Sequence, residues 1–205
     1  PLDPALAETR LILLQAQSPQ PIHRLAGLPS ANDEDSPAAK PASPDPEAAA
    51  LVIATSGSEG APKGVVLSHR SLYAAAVASR SGIPLAPGDR WLNCLPLTHV
   101  GGLSILWRCF HAGASVLLHE RFSAPAVWAD LQAGRASHIS LVPAMLARVL
   151  DAAGDSPAPN TLRCVLVGGA ALSQALHERA RAAGWPLHVS YGMTETAAQV
   201  AMLPP

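Results

Sequence analysis

Leu51-Val52-Ile53-Ala54-Thr55-Ser56-Gly57-Ser58-Glu59-Gly60-Ala61-Pro62-Lys63-Gly64 sets the frame for the whole chain. The first four residues are apolar and two are β-branched, which reads as a buried strand. The small residues, hydroxyls and glycines that follow read as a loop, and a helix is predicted to begin around Ser68. Three glycines let backbone N–H groups approach an anion, three hydroxyls add donors, and Lys63 brings a positive charge, so the loop suits phosphate. Lys40 and Lys63 are the only lysines in the chain, which favours reading Lys63 as placed for a purpose. The order of residues is not that of a Walker A loop, since Pro62 precedes the lysine and no Gly-Lys-Ser/Thr occurs. Composition alone describes an ordinary solvent-exposed loop equally well.

Downstream, short apolar runs alternate with helix-length stretches. Trp91–Leu95, Ala114–Leu118, Ile139–Val142, Val165–Val167 and Leu187–Ser190 read as strands; a helix is expected from about Leu103, and Pro143–Ala153 and Ser173–Ala183 are helix-compatible. Strand, crossover helix, strand implies an α/β fold with a mostly parallel sheet. Ligands of such sheets bind at loops leaving the carboxyl ends of strands, where the glycine-rich segments fall.

Upstream, Leu6–Gln17 has apolar residues at helical spacing and predicts a short helix, while 29–46 holds prolines 29, 37, 41, 44 and 46 among polar residues and reads as a linker. The expected organisation is an N-terminal arm and Pro-rich linker over 1–47 and a core over 48–205. The chain has 205 residues, with 49% hydrophobic and 14% charged, so a large share should lie inside a sheet covered on both faces. A net charge of -1 offers no broad basic surface for nucleic acid or anionic lipid, and phosphate recognition must be local. Cys94, Cys109 and Cys164 are odd in number and widely spaced, which fits neither a disulfide framework nor a zinc site and suggests a reducing cytoplasmic setting. No apolar run reaches the roughly 20 residues that span a bilayer.

Three further motifs follow in order. Leu95-Pro96-Leu97-Thr98-His99-Val100-Gly101-Gly102 sets a histidine between strand and helix. Val165-Leu166-Val167-Gly168-Gly169-Ala170-Ala171-Leu172-Ser173 is a strand, a glycine turn and a helix start with Ser173 as N-cap. His188-Val189-Ser190-Tyr191-Gly192-Met193-Thr194-Glu195-Thr196 ends a strand with a Thr-Glu pair. Each has a structural reading of its own: a core histidine, a tight turn, a helix cap with a solvated carboxylate.

Together, over 51–196, the motifs resemble the signatures of the adenylate-forming (AMP-binding) superfamily, whose phosphate loop reads approximately Thr-Ser-Gly-Thr-Thr-Gly-x-Pro-Lys-Gly. Glu59 stands where that family has a small hydroxyl, and a carboxylate there repels triphosphate unless it points away or meets a cation. Ala171 replaces a frequent proline. The resemblance implies an acyl-CoA ligase type of enzyme, of which this chain is part of the large N-terminal domain. It also implies roles. Thr55, Ser56, Gly57, Ser58, Gly60 and Lys63 hold phosphates, and Gly168, Gly169 and Ala170 border adenine. Tyr191 stacks on adenine with Gly192 and Met193 beside it, Thr194 bonds a phosphate, Glu195 binds Mg²⁺, and His99 lines the acyl pocket. Lys63, His99, Thr194 and Glu195 are the catalytic set implied.

Gly88–Leu92, Gly102–Ser104, Val116–Ser123 and Ser190–Gln199 further resemble 2-succinylbenzoate-CoA ligases of menaquinone synthesis. ATP, Mg²⁺ and CoA are the implied cofactor and co-substrates, with a small carboxylic acid as substrate and a homodimer as a compatible assembly. A ligase for another aryl or fatty acid and a non-catalytic nucleotide-binding remnant are the competing readings. Pro1-Leu2-Asp3-Pro4 resembles an internal family segment, and neither the family's ribose-binding aspartate nor its C-terminal lid domain is located, so the chain reads as a fragment of a ligase or a degraded gene product.

Overall fold

Seven strands in the order β1-β5-β4-β6-β7-β8-β9 form the central sheet of the computed structural model, which describes residues 13–15, 45–55 and 63–203. The elements are β1 (Leu13–Gln15), β2 (Ala49–Thr55), β3 (Lys63–Ser68), α1 (His69–Ser79), β4 (Arg90–Asn93), α2 (Val100–Ala112), β5 (Ser115–Leu118), α3 (Ala124–Gln132), β6 (His138–Leu141), α4 (Pro143–Ala153), β7 (Cys164–Val167), α5 (Gln174–Ala182), β8 (Leu187–Met193) and β9 (Ala198–Leu203). All pairings within this seven-stranded sheet are parallel except β8 with β9. The α/β class and the mostly parallel sheet expected from the alternation are therefore what the chain adopts.

Burial explains the short, wholly apolar strands. Residues such as Leu92, Ile139 and Val165 face α3, α4 and α5 through Val127, Leu131, Leu146, Val149 and Ala180. Trp91, Val116 and Cys164 face the other side, where α2 brings Ile105 and Cys109. Each fully buried aliphatic side chain contributes about 1.5–3 kcal/mol relative to exposure. Sequence starts and stops agree with the caps: Ser68 accepts from Ser71 N at 3.2 Å, Ser173 accepts from Leu176 N at 3.3 Å, and Pro143 opens α4.

Chain order reverses at β4, because β5 lies on one side of it and β6 on the other. The crossover through α2 packs on one face and the crossover through α3 on the opposite face. Sheets of this kind bind ligands at the carboxyl ends of the strands beside such a reversal, and here the loop leaving β4 carries His99.

Several expectations are corrected. Leu13–Gln15 run as an edge strand parallel to β5, not as part of a helix, because the free backbone edge of β5 outweighs local apolar spacing; the rest of Leu6–Gln17 lies outside the described residues. Leu51–Ala54 is a strand but not a buried one. It pairs with β3 as an antiparallel two-stranded sheet apart from the central one, with Ile53 buried and Val52 67% exposed. The helix after the loop begins at His69, as expected, but β3 intervenes. α2 starts at Val100, three residues before Leu103, and β8 runs past Ser190 to Met193 because β9, a strand the sequence pattern does not announce, pairs with it. Cys94, Cys109 and Cys164 are free and buried, and burial pushes each thiol up to about 12, so they remain unreactive thiols. Among the described residues no helix is long and apolar enough to cross a membrane.

Candidate active site

The β2–β3 hairpin holds the two ends of the glycine-rich segment together. Thr55 and Lys63 are cross-strand partners, and Thr55 Oγ1 donates to Lys63 O at 3.4 Å. Ser56, Gly57, Ser58 and Gly60 lie outside the described residues. The inner face of the hairpin packs Ile53 and Leu67 against Leu72 of α1 and against Ala197, with Val100 and Leu103 of α2 beside them. Through this cluster the loop's anchors, the start of α2 and the end of the Tyr191–Glu195 segment become neighbours.

Tyr191, Gly192 and Met193 continue β8 beyond the sheet's parallel part. A bulge between Tyr191 and Gly192 shifts the register with β9, and Gly192 then faces the backbone so closely that an added Cβ would sit 2.0 Å from Ala198 O. Only glycine fits there. Tyr191 is left 62% exposed, a ring face available for stacking. Thr194–Thr196 form a 3-10 turn that packs against β3, with Glu195 exposed. Thr196 Oγ1 accepts from Met193 N at 3.1 Å and donates to Ala198 O at 2.7 Å, fixing the turn. Ala197 (φ 54) and Ala198 (φ 118) follow, the two non-glycine residues with positive φ among those described. Strain of about 1–3 kcal/mol per residue persists only where the surroundings over-determine it, and here both residues are buried.

His99 is the N-cap of α2 and makes no capping hydrogen bond with its side chain, which is exposed. The loop before it is set by Asn93, fully buried, whose amide donates to Gly102 O at 3.0 Å and accepts from Leu95 N at 3.1 Å. A Cβ on Gly102 would lie 2.4 Å from Pro96 O, so the helix and the loop touch backbone to backbone. Gly168, Gly169 and Ala170 leave the carboxyl end of β7, adjacent to β8, and Ser190 Oγ donates to Val167 O at 3.1 Å beside them. His99, Gly168–Ala170 and Tyr191–Glu195 thus all leave the same edge of the sheet.

The sequence reading gave no role to Asn93, inside the Trp91–Leu95 strand, or to Arg108, and it named Gln199 only within the Ser190–Gln199 resemblance. Arg108 is the lone Lys or Arg in the apolar helix Val100–Ala112, which was the available signal. Its side chain is buried, its guanidinium lies 5.6 Å from the Trp91 ring centroid, and Nη2 donates to Gln199 Oε1 at 3.1 Å. Burial lowers it to about 10, so it stays charged at neutral pH. A small cavity lined by Arg108, Ser104, Trp107, Leu72 and Ala197 lies beside it.

Glu195 is an exposed carboxylate on its turn. Among the described residues no group of three or more His, Cys, Asp or Glu forms a metal cage. Mg²⁺ that travels with phosphates commonly takes only one or two protein carboxylates.

The model of the family described as "AMP-binding enzyme" matches residues 3–205. This chain belongs to that family. Curated AMP-binding relatives include 2-succinylbenzoate--CoA ligase of Bacillus mycoides, 39% identical over 157 residues, which are 77% of this chain and 33% of the relative. O-succinylbenzoate coenzyme A synthetase of Bacillus subtilis, solved in complex with ATP and magnesium ion, superposes with a TM-score of 0.74 at 38% identity, covering 78% of this chain and 34% of that one. The same enzyme has been solved with the acyl-adenylate intermediate OSB-AMP, again with a TM-score of 0.74. This AMP-binding chain therefore spans about a third of the length of the curated relatives it matches.

Proposed function

We propose that the enzyme containing this chain is an AMP-forming acid-CoA ligase acting on 2-succinylbenzoate. The observation that carries this is the 39% identity to 2-succinylbenzoate--CoA ligase over 77% of the chain. The packing of the Lys63 hairpin on the Glu195 turn supports it. Residues 48–205 are the nucleotide core, with Leu13–Gln15 of the preceding arm extending its sheet.

The acid is ionised at pH 7, so its oxygen needs no general base to attack the α-phosphorus of ATP; it needs alignment and charge neutralisation. As that P–O bond forms and the bond to pyrophosphate breaks, Lys63 and the hydroxyls and N–H groups of Thr55, Ser56, Gly57, Ser58 and Gly60 receive the departing charge. Tyr191, with Gly192 and Met193, and Gly168–Ala170 hold the adenine. Thr194 donates to phosphate, and Glu195 holds Mg²⁺, which when bound offsets further negative charge. His99 lines the acyl pocket. CoA then attacks the acyl carbonyl through sulfur, its thiol proton leaves, and AMP departs with the acyl C–O bond electrons. Cytoplasmic residence and a homodimer belong to the same reading.

ATP–pyrophosphate exchange with 2-succinylbenzoate tests it on the full-length protein. Lys63→Ala is expected to lower exchange by about 100-fold, the scale of losing one preorganised charge contact, with the thermal midpoint unchanged. Normal exchange in that variant, or none in the wild type, overturns the assignment.

A further inference from the structure

The parallel register of β7 with β8 ends at Val167↔Val189. One residue further, Gly168 opens the Gly168–Ala170 turn and Ser190 precedes Tyr191. Ser190 Oγ donates back across the gap to Val167 O at 3.1 Å. The same hydroxyl fills the space in front of Gly168, where an added Cβ would lie 2.7 Å from it. Ser190 O at 3.4 Å and Ser190 Cβ at 3.9 Å are at ordinary contact distance from that position, so the hydroxyl is what excludes a side chain. On the other side the turn is fixed by β6 and the start of α4. Gly168 N donates to Leu141 O at 3.2 Å, and a Cβ on Gly169 (φ 78) would lie 3.3 Å from Val142 Cγ1. Gly169, Ala170 and Tyr191 are exposed beyond these contacts.

We propose that Ser190 is a positioning residue whose hydroxyl, seated against Gly168, locks the Gly168–Ala170 turn to the Tyr191 backbone and so sets the spacing of the slot for adenine. The role rests on the nucleotide reading of the site. A flat base between a ring face and a turn depends on close contact on both sides, and a gap wider by about 0.5–1 Å forfeits a quarter to a half of the attraction. The fit is reciprocal. A methyl at 168 is accommodated when Ser190 turns about χ1 to another rotamer, and that turn carries its hydroxyl off Val167 O.

Calorimetric titration of the full-length protein with AMP tests the lock. Ser190→Ala is expected to bind AMP roughly fivefold more weakly than wild type, the scale of one neutral hydrogen bond. Gly168→Ala is expected to lose about as much, because its methyl displaces the same hydroxyl. Its thermal midpoint should stay within about 2 °C of wild type, since Gly168 lies outside the left-handed region and the added Cβ also restricts the unfolded chain. In the double variant the losses should not multiply, giving about fivefold in all rather than about 25-fold. The KM for 2-succinylbenzoate in pyrophosphate exchange should stay within about twofold throughout, whereas a general fold defect moves acid and nucleotide together. Unchanged AMP affinity in Ser190→Ala, multiplied losses in the double variant, or losses that track the acid KM and the thermal midpoint overturn the proposal. Wild type that binds no AMP overturns the nucleotide reading and the proposal with it. The non-multiplying pattern in a protein without exchange activity supports the lock and sinks the ligase reading alone.

Discussion

At the amino edge of the sheet, Asp89 is buried among groups that satisfy it. Arg163 Nη1 lies 2.6 Å from Oδ1, Ser137 Oγ donates to the same oxygen at 3.0 Å, and Ala86 N donates to Oδ2 at 2.8 Å. In the layer between α2 and β9, Arg108 is equally buried yet meets a glutamine and an indole face. The first arrangement joins the starts of β4, β6 and β7 and leaves no capacity for a ligand. The second leaves a charge available beside a cavity. The contrast separates a buried charge met by an opposite charge from one met by a neutral amide.

Breaking the amino-edge cluster should show its effect in stability. Asp89→Ala is expected to cost about 3 kcal/mol, the low end for a broken buried pair because Arg163 is half exposed and rehydrates. Thermal unfolding should register a midpoint lower by roughly 6–12 °C, and a change under 2 °C would dissolve the comparison. On the ligand side the expectation reverses. Glu195→Ala should reduce pyrophosphate exchange by about 100-fold, comparable to losing a preorganised electrostatic contact, while the unfolding midpoint holds, since Glu195 is exposed on its turn.

Acid should sharpen the difference next. His138 is fully buried beside the Asp89 cluster, hydrogen-bonded to Ser137 Oγ at 2.9 Å, and burial pulls it down to about 4, with Arg163 and His188 opposing Asp89 in smaller measure. Its folded-state value lies below the ordinary histidine value near 6.5. The unfolded chain therefore binds the proton first, and stability falls as pH drops through 6.5 towards 4. Between pH 6.5 and pH 5 about 2 kcal/mol should be lost. His138→Gln should flatten that part of a denaturant-midpoint-versus-pH curve, and an unaltered slope refutes the assignment. The smallest effect is expected at Glu59. Glu59→Thr removes a like charge from the phosphate loop and should tighten ATP severalfold at low salt; unchanged affinity by calorimetry means that the carboxylate points away.

The α4–α5 side of the sheet was readable from sequence because its strands are buried on both faces, Pro143 opens α4 and Ser173 caps α5. Pro143–Ala153 falls on α4 as read, and Ser173 caps α5 as expected. The β2–β3 hairpin was only half readable. Leu51–Ala54 looks like any core strand, and nothing local says that Lys63–Ser68 would pair back on it rather than begin a helix. β9 was missed for a similar reason: its alternation of small and exposed residues makes sense only against β8.

The sequence by itself determined the alternating strand and helix plan, the order of the four motifs and therefore the family, because periodicity, glycine placement and charged residues in fixed strings are local properties. Only the tertiary structure decided that Leu13–Gln15 joins the sheet, that Ala197 ties the β2–β3 hairpin to the Glu195 turn, and that Arg108 is buried against Gln199. Those contacts join residues as much as 144 positions apart, from Ile53 to Ala197 (197 − 53), and no local preference specifies which distant surface a side chain will meet.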